Sequence, residues 1–307
     1  MGLLDERVVI VTGAGRGLGR AHALELAHRG AIVVVNDLGV ALDGELDSEA
    51  SPAESVVAEI EAAGGTAMAD GTSVTDWTAI EALVARVVER FGRLDAVVNN
   101  AGFLRDRMLT SMSEADFDAV LEVHVKGTFV LTRHACSHWR AVAKAGEAVS
   151  GRIVNTTSGA GLWGTVGQAN YAAAKSAIAG MTTVIALEME RYGVTANAIS
   201  PIAATRMTRS AGMVDDDDDA TWDPLDPANA SPVVAWLVSE EAGWLSGAVL
   251  RIDGNVVSRV DGHHVSSSFR PPTDGPVAAD ELGPVLRRLY GLLPTGLFGR
   301  DQYQQAE

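Results

Sequence analysis

The stretch Arg7-Val8-Val9-Ile10-Val11-Thr12-Gly13-Ala14-Gly15-Arg16-Gly17-Leu18-Gly19 decides the fold. Its apolar, β-branched first half reads as a strand buried on both faces, as a parallel strand inside a sheet must be. The glycines that follow read as a turn, and Leu18, Ala21, Leu24, Leu26 and Ala27 then recur at helical spacing. Strand, glycine-rich turn and helix in that order let backbone approach a pyrophosphate. The free N–H groups and positive dipole end of the helix would face it. The spacing Gly13-x-x-x-Gly17-x-Gly19 departs from GxGxxG. The nucleotide reading therefore rests on the placement of the glycines after the first strand, more than on their number.

Outward from this turn, strands and helices alternate. Ala31 to Asn36 reads as a second strand, followed by Asp37. An acid there can accept hydrogen bonds from ribose hydroxyls and would repel a 2′-phosphate, which favours NAD over NADP. Arg16 in the turn argues the other way, since a cation there could pair with a 2′-phosphate, but Asp37 would sit at the ribose itself. Helices are expected over Ser51 to Ala63, Asp76 to Phe91, Asn170 to Arg191 and Ala228 to Val238, and two more between Glu114 and Ala145. Strands are expected at Thr66 to Ala69, Leu94 to Val98, Arg152 to Thr157, Thr195 to Ser200 and Ala248 to Ile252. This order predicts an α/β fold: one domain, a doubly wound parallel sheet with helices on both faces. The domain should span residues 1–260, with an insertion at 38–50 and a substrate lid at 203–227. From about Arg259 the pattern decays, so 261–307 reads as a C-terminal extension.

The 307 residues carry a net charge of −16, which argues against a nucleic-acid partner, since phosphate binding needs clustered Lys and Arg. The acidity is local. Asp37 to Glu61 holds eight acids and Ala211 to Ser231 seven, with no Lys or Arg in either segment. One segment starts at the ribose acid and the other lies in the expected lid. That supports NAD and weighs against a CoA ester, whose phosphates would have to avoid the lid. The run Asp215 to Asp219 reads as a solvated face. The single cysteine, Cys136, excludes an intramolecular disulfide and a cysteine-based metal site, and no metal is expected. No run of 18 apolar residues suggests a membrane span, and Val8 to Val11 is too short for a signal-peptide core. The sequence-based expectation is a cytoplasmic protein with no membrane or nucleic-acid partner and a small-molecule substrate.

Tyr171 and Lys175 stand one helical turn apart on one face. Ser158, just after the fifth strand, can reach the same pocket. A tyrosine with pKa near 10 is a poor base at neutral pH. A neighbouring ammonium, with a cationic nicotinamide nearby, stabilises the phenolate. The phenol can then exchange a proton with an alcohol or ketone while hydride moves to or from a cofactor. The serine hydroxyl would hold the substrate oxygen.

These motifs together resemble the short-chain dehydrogenase/reductase family over about residues 5 to 260. They are the Thr12–Gly19 turn, Asp37, Asn99-Asn100-Ala101-Gly102, Ser158, Tyr171-x-x-x-Lys175 and Asn197 to Pro201. The resemblance implies a Rossmann sheet of seven parallel strands. It implies that Gly13, Arg16, Gly17, Leu18, Gly19, Asp37, Leu38, Ser73, Val74, Asn100, Ala101 and Gly102 line the NAD site. Tyr171, Lys175, Pro201 and Ala204 would flank the nicotinamide and its ribose. His124 stands where the family usually has an asparagine that helps hold a water in the proton relay to the lysine. It joins the catalytic candidates, with a packed helix histidine as the alternative. Ile202 and Ser73 also depart from the common pattern.

Val35 to Gly39, Phe103 to Arg107, Val123-His124, Gly167 to Tyr171 and Arg206 to Thr208 resemble a narrower branch. This is the (3R)-hydroxyacyl-CoA dehydrogenase part of peroxisomal multifunctional enzymes and its bacterial relatives. It implies oxidation of a 3-hydroxyacyl thioester or of a related secondary alcohol, such as a steroid or terpenoid. A non-catalytic NAD-binding scaffold or redox sensor is the rival from another class. Trp163, Met207, Met213 and Trp222 are candidate substrate contacts. The small residues Ala172, Ala173, Ser176, Ala177 and Gly180 suggest close helix–helix approach. With the resemblance, they predict a homo-oligomer, a tetramer or dimer.

Overall fold

The computed structural model describes residues 2–39, 51–203, 222–262, 265, 267–269 and 282–290. The chain forms two compact units, Met1–Val260 and Asp261–Glu307. The strands of the first are β1 (Val8–Thr12), β2 (Ile32–Asn36), β3 (Thr66–Asp70), β4 (Ala96–Asn99), β5 (Gly151–Thr156), β6 (Val194–Ile202), β7 (Val249–Asp253) and β8 (Val256–Val260). They make one sheet in the order β3-β2-β1-β4-β5-β6-β7-β8. Strands β1 to β7 are parallel, and the order reverses between β1 and β4, where Val9 pairs with both Val33 and Ala96. Such a switch point opens a crevice at the carboxyl ends of the strands.

The helices are α1 (Gly17–His28), α2 (Pro52–Ala62), α3 (Trp77–Phe91), α4 (Glu114–Leu121), α5 (Gly127–Lys144), α6 (Gly159–Trp163), α7 (Ala169–Met189) and α8 (Ser231–Leu237), with α9 (Leu282–Tyr290) in the second unit. Local chemistry sets their ends. Asp76 caps α3 by accepting from Ala79 N at 2.9 Å, and Gly92 closes it in the left-handed region at φ 77°. Ser51 caps α2, with Pro52 in its first turn. In the second unit, Arg288 stacks 5.0 Å from the Phe269 ring.

The two faces of β1 explain its uninterrupted apolar run. Val9 and Val11 join Leu26 of α1, Val56 and Ile60 of α2 and Val234 and Leu237 of α8 in one core layer. Val8 and Ile10 join Leu83 and Val87 of α3, Leu131 and Trp139 of α5 and Met189 of α7 in the other. Each such side chain, fully buried, stabilises the fold by about 1.5–3 kcal/mol.

The structure differs from expectation in three places. The sheet has an eighth strand, antiparallel to β7 through the two-residue turn Gly254-Asn255, with Gly254 at φ 54°. Most of its residues are exposed, so they carry no buried-strand pattern. The two helices expected between Glu114 and Ala145 are joined by a π-helical turn, Glu122–Lys126, which contains His124. Finally, α6 is a short helix directly after Ser158. Helix α7 and the turn after it, Ala169–Tyr192, are long and apolar enough to cross a membrane by length and composition. In the fold, Ala174, Lys175, Ile178 and Thr182 of that helix are buried in the domain. Residues 40–50 of the insertion and Ala204, Met207, Met213 and Asp215 to Asp219 lie outside the described residues.

Candidate active site

The glycine turn is built for close approach. Gly13 has φ +61°, and a β-carbon on it would lie 2.8 Å from Ala101 Cα. Gly17 opens α1 at φ 52°. Among the described residues, no side chain caps the start of this helix, and no acid stands in its first turn. Those donors and the dipole end are what a pyrophosphate requires. At Gly19 a β-carbon would overlap the Gly13 carbonyl and the Asn100 amide. Its missing side chain lets α1 pack on the turn. The segment after β4 is fastened to the same turn. Asn100 Nδ2 donates to the carbonyls of Thr12 (3.0 Å) and Gly13 (3.1 Å). Thr12 Oγ1 accepts from the N–H groups of Asn100 (3.0 Å) and Ala101 (3.1 Å).

At the far end of the turn, Asp37 accepts from Gly15 N and Gly39 N, both at 2.8 Å. These bonds hold its carboxylate beside the turn, while Leu38 is exposed. Val74 is buried against Gly127, which has no β-carbon to oppose it, and Ser73 Oγ lies 3.0 Å from Thr75 Oγ1. The uncapped helix start, the glycine cradle and the carboxylate therefore fit a dinucleotide.

Ser158, Tyr171 and Lys175 meet at the carboxyl end of β5. Ser158 caps α6, its Oγ accepting from Ala160 N at 3.3 Å. Asn170 sets the start of α7: Nδ2 donates to the carbonyls of Arg105 (2.9 Å) and Asp116 (3.0 Å), and Oδ1 accepts from Tyr171 N (2.8 Å). Lys175 is buried, and its Nζ donates to the Thr156 carbonyl at 2.7 Å and lies 5.5 Å from the Tyr171 ring centroid. Thr157 Oγ1 donates in turn to the Lys175 carbonyl at 2.8 Å.

Burial pushes the Tyr171 phenol up to about 12; a hydrogen bond with Ser158 pulls it back, and the charge of Asp106 pushes it further up. Burial brings the Lys175 ammonium down to about 7. The resting site thus holds a neutral phenol beside an amine that is poised near neutral pH. Added positive charge would favour the phenolate.

His124 is buried edge-on to Tyr171, with ring centroids 5.3 Å apart at 83°. Its Nε2 lies 2.8 Å from the carbonyl oxygen and 3.1 Å from the amide nitrogen of Phe103. Nδ1 is buried without a hydrogen-bond partner among the described residues. Burial, and then the charge of Lys175, push the imidazole down to about 3, so it stays neutral. The absent side chain of Gly102 makes room for the ring. Trp163 ends α6 with the Arg251 guanidinium 4.8 Å from its ring centroid. Burial, and then the charge of Glu188, push the Cys136 thiol up to about 12, which disfavours the thiolate.

Sequence reasoning gave no role to Thr12, Asn170, Thr156, Asp106 or Arg251. Asn170 was within reach, since an amide beside a helix start commonly holds local backbone. The others act through contacts between distant segments. One is Gln168 Nε2 donating to Asp106 Oδ2 at 2.8 Å, beneath the backbone bridge between Arg107 and Gln168.

Comparison with known proteins agrees with this geometry. The short chain dehydrogenase family model matches residues 7–215. A hydroxyacyl-CoA dehydrogenase of Mycobacterium tuberculosis is 45% identical over 273 residues, covering 87% of this chain and 83% of that protein. The peroxisomal multifunctional enzyme type 2 of Mus musculus is 42% identical over 252 residues, covering 78% of this chain but only 32% of that longer protein. Among solved structures, a short chain dehydrogenase from Mycobacterium avium shares 52% identity at TM-score 0.84, covering 95% of this chain and 96% of that one. With its switch-point crevice, glycine turn and Ser158, Tyr171 and Lys175 gathered in one place, the chain belongs to the short-chain dehydrogenase family and is an oxidoreductase acting on CH–OH groups.

Proposed function

We propose that the chain uses NAD to interconvert a secondary alcohol and a ketone, with a 3-hydroxyacyl thioester as the leading substrate class. The observation that carries the chemistry is the meeting of Tyr171, Ser158 and Lys175, with His124 linking Tyr171 to Gly102 in the segment fastened to the glycine turn. NAD, when bound, supplies the hydride acceptor and a positive charge near the phenol. Gly13, Arg16, Gly17, Leu18, Ser73, Val74 and the Asn100–Gly102 segment would hold it, with Asp37 at the ribose. Asp37 supports NAD over NADP because its carboxylate is already fixed beside the turn by Gly15 and Gly39.

Ser158 donates to the substrate oxygen and orients it. In alcohol oxidation Tyr171, as the phenolate that the added positive charge favours, takes the hydroxyl proton while hydride leaves the same carbon; in the reverse direction the phenol gives its proton to the ketone oxygen. Lys175 stabilises the phenolate, and its Nζ is held in place by donating to the Thr156 carbonyl. His124 holds the Tyr171 ring and the Phe103 backbone, and its Nδ1 is the ring atom left to join a proton path. The thioester reading is supported by the named activity of the Mycobacterium tuberculosis relative.

The test is a panel of secondary alcohols, including acyl-CoA substrates, with NAD and NADP, read as reduced-cofactor absorbance. NAD-dependent turnover led by 3-hydroxyacyl-CoA is the expected result. A clear preference for NADP would overturn the cofactor assignment, and NAD binding without turnover of any alcohol would overturn the enzyme reading.

Self-association belongs to the same proposal. On α7, Val184 and Leu187 are exposed and Gly180 opens onto free space, and Phe129 of α5 is exposed as well. An apolar face of this kind calls for a partner. Light scattering should give a dimer or tetramer, and a monomer at micromolar concentration would refute it.

A further inference from the structure

Arg251 is set apart from most of the described arginines by its place beside Ser158; Arg90 and Arg191 also lie over rings, but of their own chain neighbours Phe91 and Tyr192. Arg20, Arg29, Arg86 and Arg93 pair with acids. Arg152 donates to the carbonyls of Ser239, Gly151 and Glu240. Arg251 lies on β7, in register with Ser200 of β6 and one residue short of the pair formed by Pro201. Its guanidinium stacks on Trp163, and Nη1 is 3.1 Å from the place a β-carbon on Gly159 would take. Gly159 directly follows Ser158, so this cation borders the serine side of the active site. The residue is partly exposed. Among the described residues, no carboxylate pairs with its guanidinium and no guanidinium N–H makes a hydrogen bond.

Stacking on an indole fixes the plane of a guanidinium and leaves its edge donors free. That edge matches the oxygens of a carboxylate or phosphate. A chain of net charge −16 repels anions in general, yet it keeps next to Ser158 a cation that pairs with no carboxylate among the described residues. We propose that Arg251, held on Trp163, forms an anion subsite that receives a carboxylate or phosphate oxygen of the substrate. The proposal rests on the alcohol-dehydrogenase reading of Ser158, Tyr171 and Lys175. It narrows the substrate class to secondary alcohols that carry an oxyanion. Trp163 is then a platform for the arginine as well as a wall of the cleft.

The test is steady-state kinetics of the wild type, Arg251→Met and Arg251→Lys on three related compounds with NAD. These are a free 3-hydroxy acid (carboxylate), its CoA thioester (phosphates) and its N-acetylcysteamine thioester (neither). Arg251→Met should raise KM for an anionic compound by about 10- to 100-fold, the range for losing a hydrogen bond to a charged partner. It should lower kcat far less and act much more weakly on the uncharged thioester. Arg251→Lys should fall between, since it keeps the charge and loses the fork. In the wild type, KM for the anionic compound should rise with ionic strength, a reading that does not depend on how the variants fold. An effect confined to the free acid assigns the subsite to a carboxylate, and one confined to the CoA thioester assigns it to phosphate; either supports the proposal. KM values that move equally for all three compounds, or not at all, overturn the subsite and leave the Tyr171 chemistry standing. No turnover by the wild type on any of the three overturns the functional reading and the subsite together.

Discussion

Replacing Lys175 with methionine should stabilise the protein at neutral pH while ending catalysis. Lys175 is 3% exposed, and burial moves its ammonium from 10.5 to about 7. The unfolded chain binds this proton fully at pH 7, whereas the folded chain holds it only about half the time. A group whose folded pKa is depressed contributes its full stability above the unfolded value. That stability is lost as pH falls from 10.5 toward about 7. At 1.36 kcal/mol per unit, the loss reaches about 4 kcal/mol at neutral pH. Methionine has a similar shape and no charge, so it removes that cost. It also strips the Thr156 carbonyl of its donor at 2.7 Å, which costs about 1–3 kcal/mol. The net expectation is a gain of about 2 kcal/mol at pH 7 that shrinks and reverses toward pH 10.5. Urea denaturation without cofactor at pH 7 and pH 10, followed by tryptophan fluorescence, measures it. A less stable variant at pH 7, or a stability difference that ignores pH, would refute the claim that burial alone sets this amine.

Gly102→Ala places a methyl where the His124 ring lies, so it should cost about 1–3 kcal/mol in thermal unfolding. An unchanged midpoint would show that the ring is free to move. Ser158→Ala removes the hydrogen bond that pulls the Tyr171 phenol down. The pH profile of alcohol oxidation should shift to higher pH, with turnover at pH 7 falling about 100-fold; a profile in the wild-type position would contradict this. Asp37→Ala removes the proposed ribose acceptor and should weaken NAD about 10-fold in a fluorescence titration, while NADP gains relative to NAD. Equal losses for both cofactors would remove Asp37 from the 2′ position.

The parts of the fold that were legible are those where burial writes a pattern into neighbouring residues. Val8 to Val11 could be read because both faces of β1 are covered, and Tyr171 and Lys175 because one helical turn separates them. Strand β8 was missed because Val256, Val257 and Ser258 are exposed and leave only Gly254-Asn255 as a turn signal. The packing of Gly19 against Gly13 and Asn100 was not legible, because it depends on a segment after β4. His124 was flagged at an unusual position, but its tie to the Phe103 backbone and its edge-on contact with Tyr171 are tertiary. The Arg251–Trp163 stack joins β7 to α6, and no local rule connects them.

The central claim is that Tyr171 moves the proton while hydride moves to or from NAD. The most direct measurement is the NADH produced by wild type and Tyr171→Phe on the same active alcohol, with NAD affinity measured alongside. Phenylalanine keeps the ring against His124 and removes only the hydroxyl. The account predicts turnover reduced by at least ~100-fold with NAD binding retained. Turnover within a few-fold of wild type would contradict it.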